Sequence, residues 1–300
     1  MPTATDSIHP LAVDPGCELV IAIDTLVDGV HFPVGTAPAD VGFKALAVNL
    51  SDLAAMGADP LAARISLTLP DSIEGNDSSW RTGFEDGLAV LARRYGVAAA
   101  HPLTARGPLC VTVEALGSVP RGMALRRDGA APGDRILVTG TLGDAGLALA
   151  AEGATMTREV RAFLQIRLAR PEPRVAAGIA LRGLASAAID VSDGLVADLG
   201  HILTASGWGA HLMVEDLPLS RALAEKLPRE RAWELALSSG DDYELCFTVA
   251  PDALAQVGDR LRGLDCGFTP IGTVTAEAGL QCLRADGSGL RPAPGYRHFQ

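Results

Sequence analysis

The chain has 300 residues, of which 48% are apolar and 20% charged, and its formal net charge is −11. That length allows two domains with sizeable cores. The acidic balance argues against a nucleic-acid partner, which would draw on clustered Lys and Arg, whereas here the arginines fall in short groups such as 126–127 and 229–231. No apolar run approaches the ~20 residues that span a bilayer. The N-terminus (MPTATD) has neither the basic start nor the apolar stretch of a secretion signal, so the expectation is a cytoplasmic protein without a membrane partner.

In chain order, residues 18–24 (ELVIAID) form a β-type run ending on an aspartate. A loop follows to Phe32, with Gly29 permitting a tight turn. Residues 38–56 have helical character, closed by Gly57 as a C-cap. A strand at 63–69 stops at Pro70. An amphipathic helix at 79–95 is closed by Gly96, and strands are expected at 97–100 and 110–119. The Gly-, Pro- and Arg-rich stretch 120–134 then carries little periodicity and marks a boundary.

Beyond it, a strand is predicted at 135–139 and helices at 143–151 and 160–168, the second broken by Arg170-Pro171-Glu172-Pro173. A strand at 187–191 runs into Ser192-Asp193-Gly194 and a helix at 195–205. Further strands are read at 210–214, 244–249 and 270–275. The irregular alternation predicts two α+β or mixed α/β domains, not one doubly wound sheet. The five cysteines (17, 110, 246, 266, 282) contain no C-x-x-C pair and are expected to be reduced and mostly buried.

Neither a G-x-x-x-x-G-K-[ST] phosphate loop nor a convincing G-x-G-x-x-G is present. The turn Gly140-Thr141-Leu142-Gly143, between a strand and a helix, is either an anion site made of backbone N–H groups or a plain connection. The aspartates carry the stronger signal. Asp24 ends an apolar strand. Asp52 lies in an apolar helix and shares a face with Asn49 at i, i+3. Asp190 and Asp193 bracket Ser192, and Asp241-Asp242 precede a strand.

Carboxylates at the ends of apolar strands are partly desolvated, which is costly without a cation or N–H donors. Mg²⁺ takes oxygen ligands and often holds substrate phosphates as well. The structural alternatives are a solvated Asp52, helix caps at Asp190 and Asp193, and a plain turn at 241–242. His31, without nearby Cys or His, is not a zinc site. No nucleophile–base pairing stands out.

The segments DTLVDGVHF (24–32), KALAVNLSDLAAMGADP (44–60), RGPL (106–109), GTLGDAGLAL (140–149), AIDVSDGLVADLGHI (188–202), GDDYELCFT (240–248) and GYRHF (295–299) resemble the thiamine-monophosphate kinase family. The resemblance covers nearly the whole chain from about residue 17 onward. Aminoimidazole-ribonucleotide synthetases and the hydrogenase-maturation dehydratase share the Asp-rich logic but not these words.

The resemblance implies a two-domain, aminoimidazole-ribonucleotide synthetase-like fold. Residues 1–125 would form the dimerisation and ATP/Mg-binding domain of a homodimer, and residues 126–300 a C-terminal α/β domain. It implies transfer of the γ-phosphoryl group of ATP to thiamine monophosphate, assisted by several Mg²⁺ ions and needing no protein nucleophile. Asp24, Asp52, Asp190 and Asp193 would be metal ligands, Arg127 and Ser192 would contact ATP, and His31, Asp241 and Tyr296 would contact thiamine phosphate.

The chain departs from the family pattern in three places. Asp6-Ser7 stands where a longer segment leads into Gly-Asp-Asp, Ala22-Ile23 where hydroxyl residues are usual, and Leu103 where the aspartate of Gly-Gly-Asp-Thr-Thr is usual. Each lost oxygen removes a hard ligand, so weaker metal binding and slower turnover are expected. The alternative reading is a paralogue that binds nucleotide or thiamine phosphate without efficient turnover.

Overall fold

The computed structural model describes residues 11–74, 78–150 and 156–296. Asp6, Ser7, Ala151 and the end of the GYRHF segment lie outside them. Two compact units emerge: residues 1–53 with 58–122, and residues 54–57 with 123–300.

The first unit is a five-stranded sheet with helices. Its elements are β1 (Cys17–Val27), α1 (Pro38–Ala55), β2 (Asp59–Leu69), α2 (Asp71–Glu74), α3 (Ser78–Tyr95), β3 (Ala98–Ala99), β4 (Leu103–Arg106) and β5 (Cys110–Pro120). The order is β1-β5-β2-β3, with β4 also on β2. Strand β1 runs on to Val27, beyond the expected end at Asp24, because its antiparallel ladder with β5 continues unbroken to the Val27–Cys110 pair.

One face of the sheet buries Ala22, Leu26, Val111, Val113, Ala115, Ile65 and Leu67, the period-2 pattern of a half-covered sheet. The helices α1 and α3 cross at backbone contact. A Cβ on Gly42 would lie 2.0 Å from the Phe84 carbonyl oxygen, and one on Gly87 would lie 1.8 Å from that of Ala39. On the other side of β1, Leu19, Ile21 and Ile23 are exposed, Ile23 by 66%.

The second unit contains β6 (Arg135–Thr139), α4 (Asp144–Leu149), α5 (Arg158–Ala169), α6 (Val175–Ala180), β7 (Ala187–Asp190), α7 (Leu195–Ser206) and β8 (Gly209–Met213). It continues with α8 (Arg221–Lys226), α9 (Arg229–Ser238), β9 (Leu245–Val249), α10 (Leu254–Leu261), β10 (Phe268–Thr275), β11 (Gly279–Leu283) and β12 (Gly289–Leu290). The sheet order is β12-β11-β8-β10-β6-β9-β7. All pairs are antiparallel except β11 with β8.

Its main core joins Ile136, Val138, Ile189, Val191, Leu195, Leu199, Leu212 and Ile271. A smaller cluster of Leu147, Leu164, Leu223 and Leu235 ties α4, α5, α8 and α9 together. The cysteines are free, but only Cys246 and Cys282 are buried, which corrects the expectation that most would be. Burial pushes both thiols up, Cys282 to about 11, so neither is a ready thiolate. Among the described residues no helix is long and apolar enough to cross a membrane.

Candidate functional site

Asp24, His31 and Asp52 stand in the first unit, and the other candidates in the second. Asp24 is half-buried on β1 opposite Val113, on the same side of the strand as buried Ala22 and Leu26. Asp52 is half-buried on α1 between buried Ser51 and Leu53. One turn earlier, Asn49 is fully buried and donates from Nδ2 to the Ala45 carbonyl at 3.0 Å. Its Oδ1 is buried without a hydrogen-bond partner, an uncommon condition for a buried acceptor.

His31 closes a tight turn, with its own N–H donating to the Val27 carbonyl at 2.9 Å. The Val27 N–H donates in return to His31 Nδ1 at 3.0 Å. Because Nδ1 accepts, a neutral ring carries its proton on Nε2.

In the second unit the chain builds a layered loop. The end of β7 carries Asp190, buried at 4% exposure, and residues 190–194 lead into α7. Segment 240–244 lies on one side, where Asp241 N–H donates to the Ser192 carbonyl, Tyr243 N–H to that of Val191, and Val191 N–H to that of Glu244, each at 2.8 Å. Tyr296 N–H donates from the C-terminal segment to the Asp193 carbonyl at 2.9 Å. These approaches require glycine: a Cβ on Gly240 would sit 2.4 Å from the Ser192 carbonyl oxygen, and one on Gly295 would sit 2.3 Å from that of Asp193. The structure therefore brings Asp190, Ser192, Asp193, Asp241 and Tyr296 together.

Asp241 and Tyr243 both take the left-handed conformation, with φ of 62° and 52°. Such backbones are uncommon outside glycine and cluster at functional sites. The Tyr243 hydroxyl bonds Asp241 Oδ1 at 3.0 Å. Arg127 is exposed on a segment that runs beside β7, where Ala188 N–H donates to the Arg126 carbonyl at 2.8 Å.

The alternative of helix caps at Asp190 and Asp193 is not what α7 shows. The cap position of α7 is Gly194, and no side chain caps it. Instead Asp198, from inside the helix, accepts from Ser192 N–H at 2.9 Å and Asp193 N–H at 3.0 Å. Burial, then the charge of Asp190, pushes the Asp198 carboxyl up to about 7.

The 140–143 turn is a connection. Gly140 N–H donates to Gly267 O, Leu142 N–H to Pro218 O, and Gly143 N–H to the Asp242 carboxylate at 2.9 Å. With three of its four N–H groups spent inside the fold, the turn is better read as a plain connection.

Beneath the two loops lies a buried ionic network. Glu244 accepts a two-pronged contact from Arg174, Nε at 2.6 Å and Nη2 at 2.7 Å, plus Thr139 Oγ1 at 2.7 Å and Arg167 Nη2 at 3.2 Å. Arg167 also lies 3.4 Å from Asp144. Burial works against the Arg174 charge, but Glu244 outweighs it and raises the guanidinium pKa. Burial also raises the carboxyls of Asp144 and Asp242, Asp242 strongly.

The chemistry of the 190–194 loop fits a hard cation. The N–H groups of Val191, Ser192 and Asp193 are spent, and so are the carbonyls of these residues. The side-chain oxygens of Ser192 and Asp193, with the buried carboxylate of Asp190 beside them, are the hard donors of this loop. Among the described residues no group of three or more His, Cys, Asp and Glu side chains is placed to hold a metal. A Mg²⁺ here would be completed by substrate phosphates and water, its usual mode.

Comparison with known proteins gives this site its context. Residues 6–119 match the family described as AIR synthase related protein, N-terminal domain, and residues 131–283 match its C-terminal domain. The thiamine-monophosphate kinase of Escherichia coli K12 is 47% identical over 285 residues, 94% of this chain and 86% of the relative. The chain belongs to the thiamine-monophosphate kinase family. The crystal structure of the Stenotrophomonas maltophilia K279a thiamine-monophosphate kinase is 45% identical, with a TM-score of 0.85 over 93% of this chain and 89% of that one. A second solved structure, AaThiL complexed with AMPPCP and TMP, is 32% identical, with a TM-score of 0.81 over 98% and 91% of the two chains.

The supports are Asp144, Arg167, Arg174, Asp198, Asp242 and Glu244, of which only Asp242 was singled out in the sequence. Asp144, Asp198, Asp242 and Glu244 lie inside the family segments GTLGDAGLAL, AIDVSDGLVADLGHI and GDDYELCFT, which was their one hint, and Arg167 and Arg174 had none.

Proposed function

We propose that this chain transfers the γ-phosphoryl group of ATP to the phosphate of thiamine monophosphate. An oxygen of the acceptor phosphate forms a bond to Pγ, the bond to the β-phosphate bridging oxygen breaks, and ADP leaves as thiamine diphosphate forms. The observation that carries this reading is the stacking of the 190–194 loop between the 240–244 and C-terminal segments, which puts cation-type oxygens beside Asp241 and Tyr296. Membership of the family, with a relative's complex with AMPPCP and TMP, supplies the two substrates.

Bound Mg²⁺ would neutralise and orient the phosphates. We assign Asp24, Asp52, Asp190 and Asp193 to that ion set. Ser192 and Arg127 are assigned to ATP, and His31, Asp241 and Tyr296 to thiamine phosphate. The test is direct: ATP, thiamine monophosphate and Mg²⁺ should give thiamine diphosphate and ADP in equal amounts, abolished by EDTA. ATP consumption without thiamine diphosphate would sink the reading.

We assign residues 1–125 to dimerisation and metal binding, and residues 126–300 to the C-terminal part of the site. The exposed Leu19, Ile21 and Ile23 on one face of β1 support a homodimer, since such a patch is a pairing surface more often than a solvated one. Cysteines in the free form and the bacterial relatives support a cytoplasmic location.

Leu103 favours a slower enzyme than its relatives. It sits on β4, 59% exposed, paired with Ser66 of β2. An aspartate there would lose little buried apolar contact. The Leu103→Asp variant should therefore keep the wild-type melting temperature and lower the Mg²⁺ concentration for half-maximal turnover, by about tenfold if a full ligand is regained. An unchanged Mg²⁺ titration would show that residue 103 is not a metal position in this chain.

A further inference from the structure

One buried carboxylate next to the proposed metal loop has no role in the reaction as written. Asp198, 3% exposed, lies in the first turn of α7 and accepts through one oxygen from both Ser192 N–H (2.9 Å) and Asp193 N–H (3.0 Å). Successive backbone N–H groups that converge just ahead of a helix form a concavity suited to an anion. Here a carboxylate of the same helix fills that place. The third N–H of the turn, from Val191, is bound to Glu244 O, and the loop carbonyls are held by Asp241, Tyr243 and Tyr296 N–H groups. At 192 and 193 the turn offers side-chain oxygens in place of N–H donors.

We infer that Asp198 is a positioning residue that makes the 190–194 turn select a divalent cation over a bare phosphate. It occupies the two N–H groups that would attract an anion, and it fixes the backbone from which Ser192 and Asp193 project. This rests on the phosphotransfer reading above, because there ATP reaches the turn as its metal complex. The effect requires a hydrogen-bond acceptor at 198, and the carboxylate charge is not what the turn reads. Asparagine should replace aspartate, because its amide oxygen can accept both N–H bonds, and alanine should not.

The test uses the full chain, Mn²⁺ as the probe in the presence of AMPPCP, and inorganic phosphate as the competing anion. Asp198→Ala should raise the Mn²⁺ concentration for half-saturation by about tenfold or more, the usual effect of losing a residue that orients metal ligands. It should also make the protein newly sensitive to phosphate, competing with nucleotide. Asp198→Asn should stay within about threefold of wild type on both readouts.

A residue that only stabilised the helix would lower the melting temperature without moving either titration, and that outcome in Asp198→Ala overturns the proposal. Should the alanine variant not fold, the asparagine variant alone decides. A folded Asp198→Asn protein with strongly weakened Mn²⁺ binding would show that charge, not the cap, is what matters, and would overturn it too. Failure of the kinase reading looks different: wild type would form no thiamine diphosphate while the Mn²⁺ series kept its order.

Discussion

Asp193→Asn should lower kcat/KM for ATP by at least about a hundredfold, or about 2.7 kcal/mol of transition-state stabilisation, while leaving the melting temperature where it is. The two halves of this expectation have separate causes. The backbone of residue 193 is held at both ends, its N–H by Asp198 and its carbonyl by Tyr296 N–H, and asparagine preserves both contacts. The side chain is half-buried and makes no helix cap, so little folding energy depends on it. Losing one anionic oxygen, however, weakens the grip on a cation whose task is to offset charge on the transferring phosphoryl group. Steady-state kinetics at several Mg²⁺ concentrations separate the effects: a ligand loss is partly rescued by excess metal, and a distorted loop is not. Activity within about threefold of wild type would remove Asp193 from the metal set.

The pattern of strands and helices was legible where burial alternates cleanly. Strands β5 and β9 and helices α1, α3 and α7 stand within two residues of expectation. The failures have local causes. Strand β4 (LTAR) is exposed at every position, so it has no alternation to read and forms only because β2 offers its edge. The short helices α6 and α8 are too brief to show a full period.

Within the candidate site, the aspartates at loop positions were legible because apolar neighbours make a carboxylate conspicuous. Their supports were not. Glu244 reads as the start of a strand, and nothing local marks Asp198, Arg167 or Arg174, whose partners lie far off or outside any motif. Asp241 and Asp242 looked equivalent in sequence. The left-handed backbone at 241 separates them, leaving one beside the Tyr243 hydroxyl and turning the other inward onto Gly143 N–H. Side-chain partners distant in sequence, such as Thr139 with Glu244, leave no periodic trace.

Glu244→Ala should destabilise the second unit by about 3–5 kcal/mol, the usual cost of removing one member of a buried ion pair. The reason is what the substitution leaves behind. Arg174 and Arg167, with side chains only 12% and 15% exposed, would keep their charge against an empty space, and the Thr139 hydroxyl would lose its acceptor. Arginine cannot escape by giving up its proton, so the desolvation penalty is not relieved as it would be for a buried lysine or histidine. Glu244→Gln should cost less, because it keeps the hydrogen-bond geometry and loses only the charge. Urea unfolding followed by the fluorescence of Trp208 and Trp233, in a Trp80→Phe background, reports on the unit in question. Trp233 is 5% exposed in the core that contains Val138 and Ile189. Because Glu244 O also receives Val191 N–H, the damage should reach the metal loop, and the alanine variant should lose activity at temperatures below its unfolding transition. A loss of less than about 1 kcal/mol would show that the two arginines find other partners, and that the network does not hold the loops of the site in place.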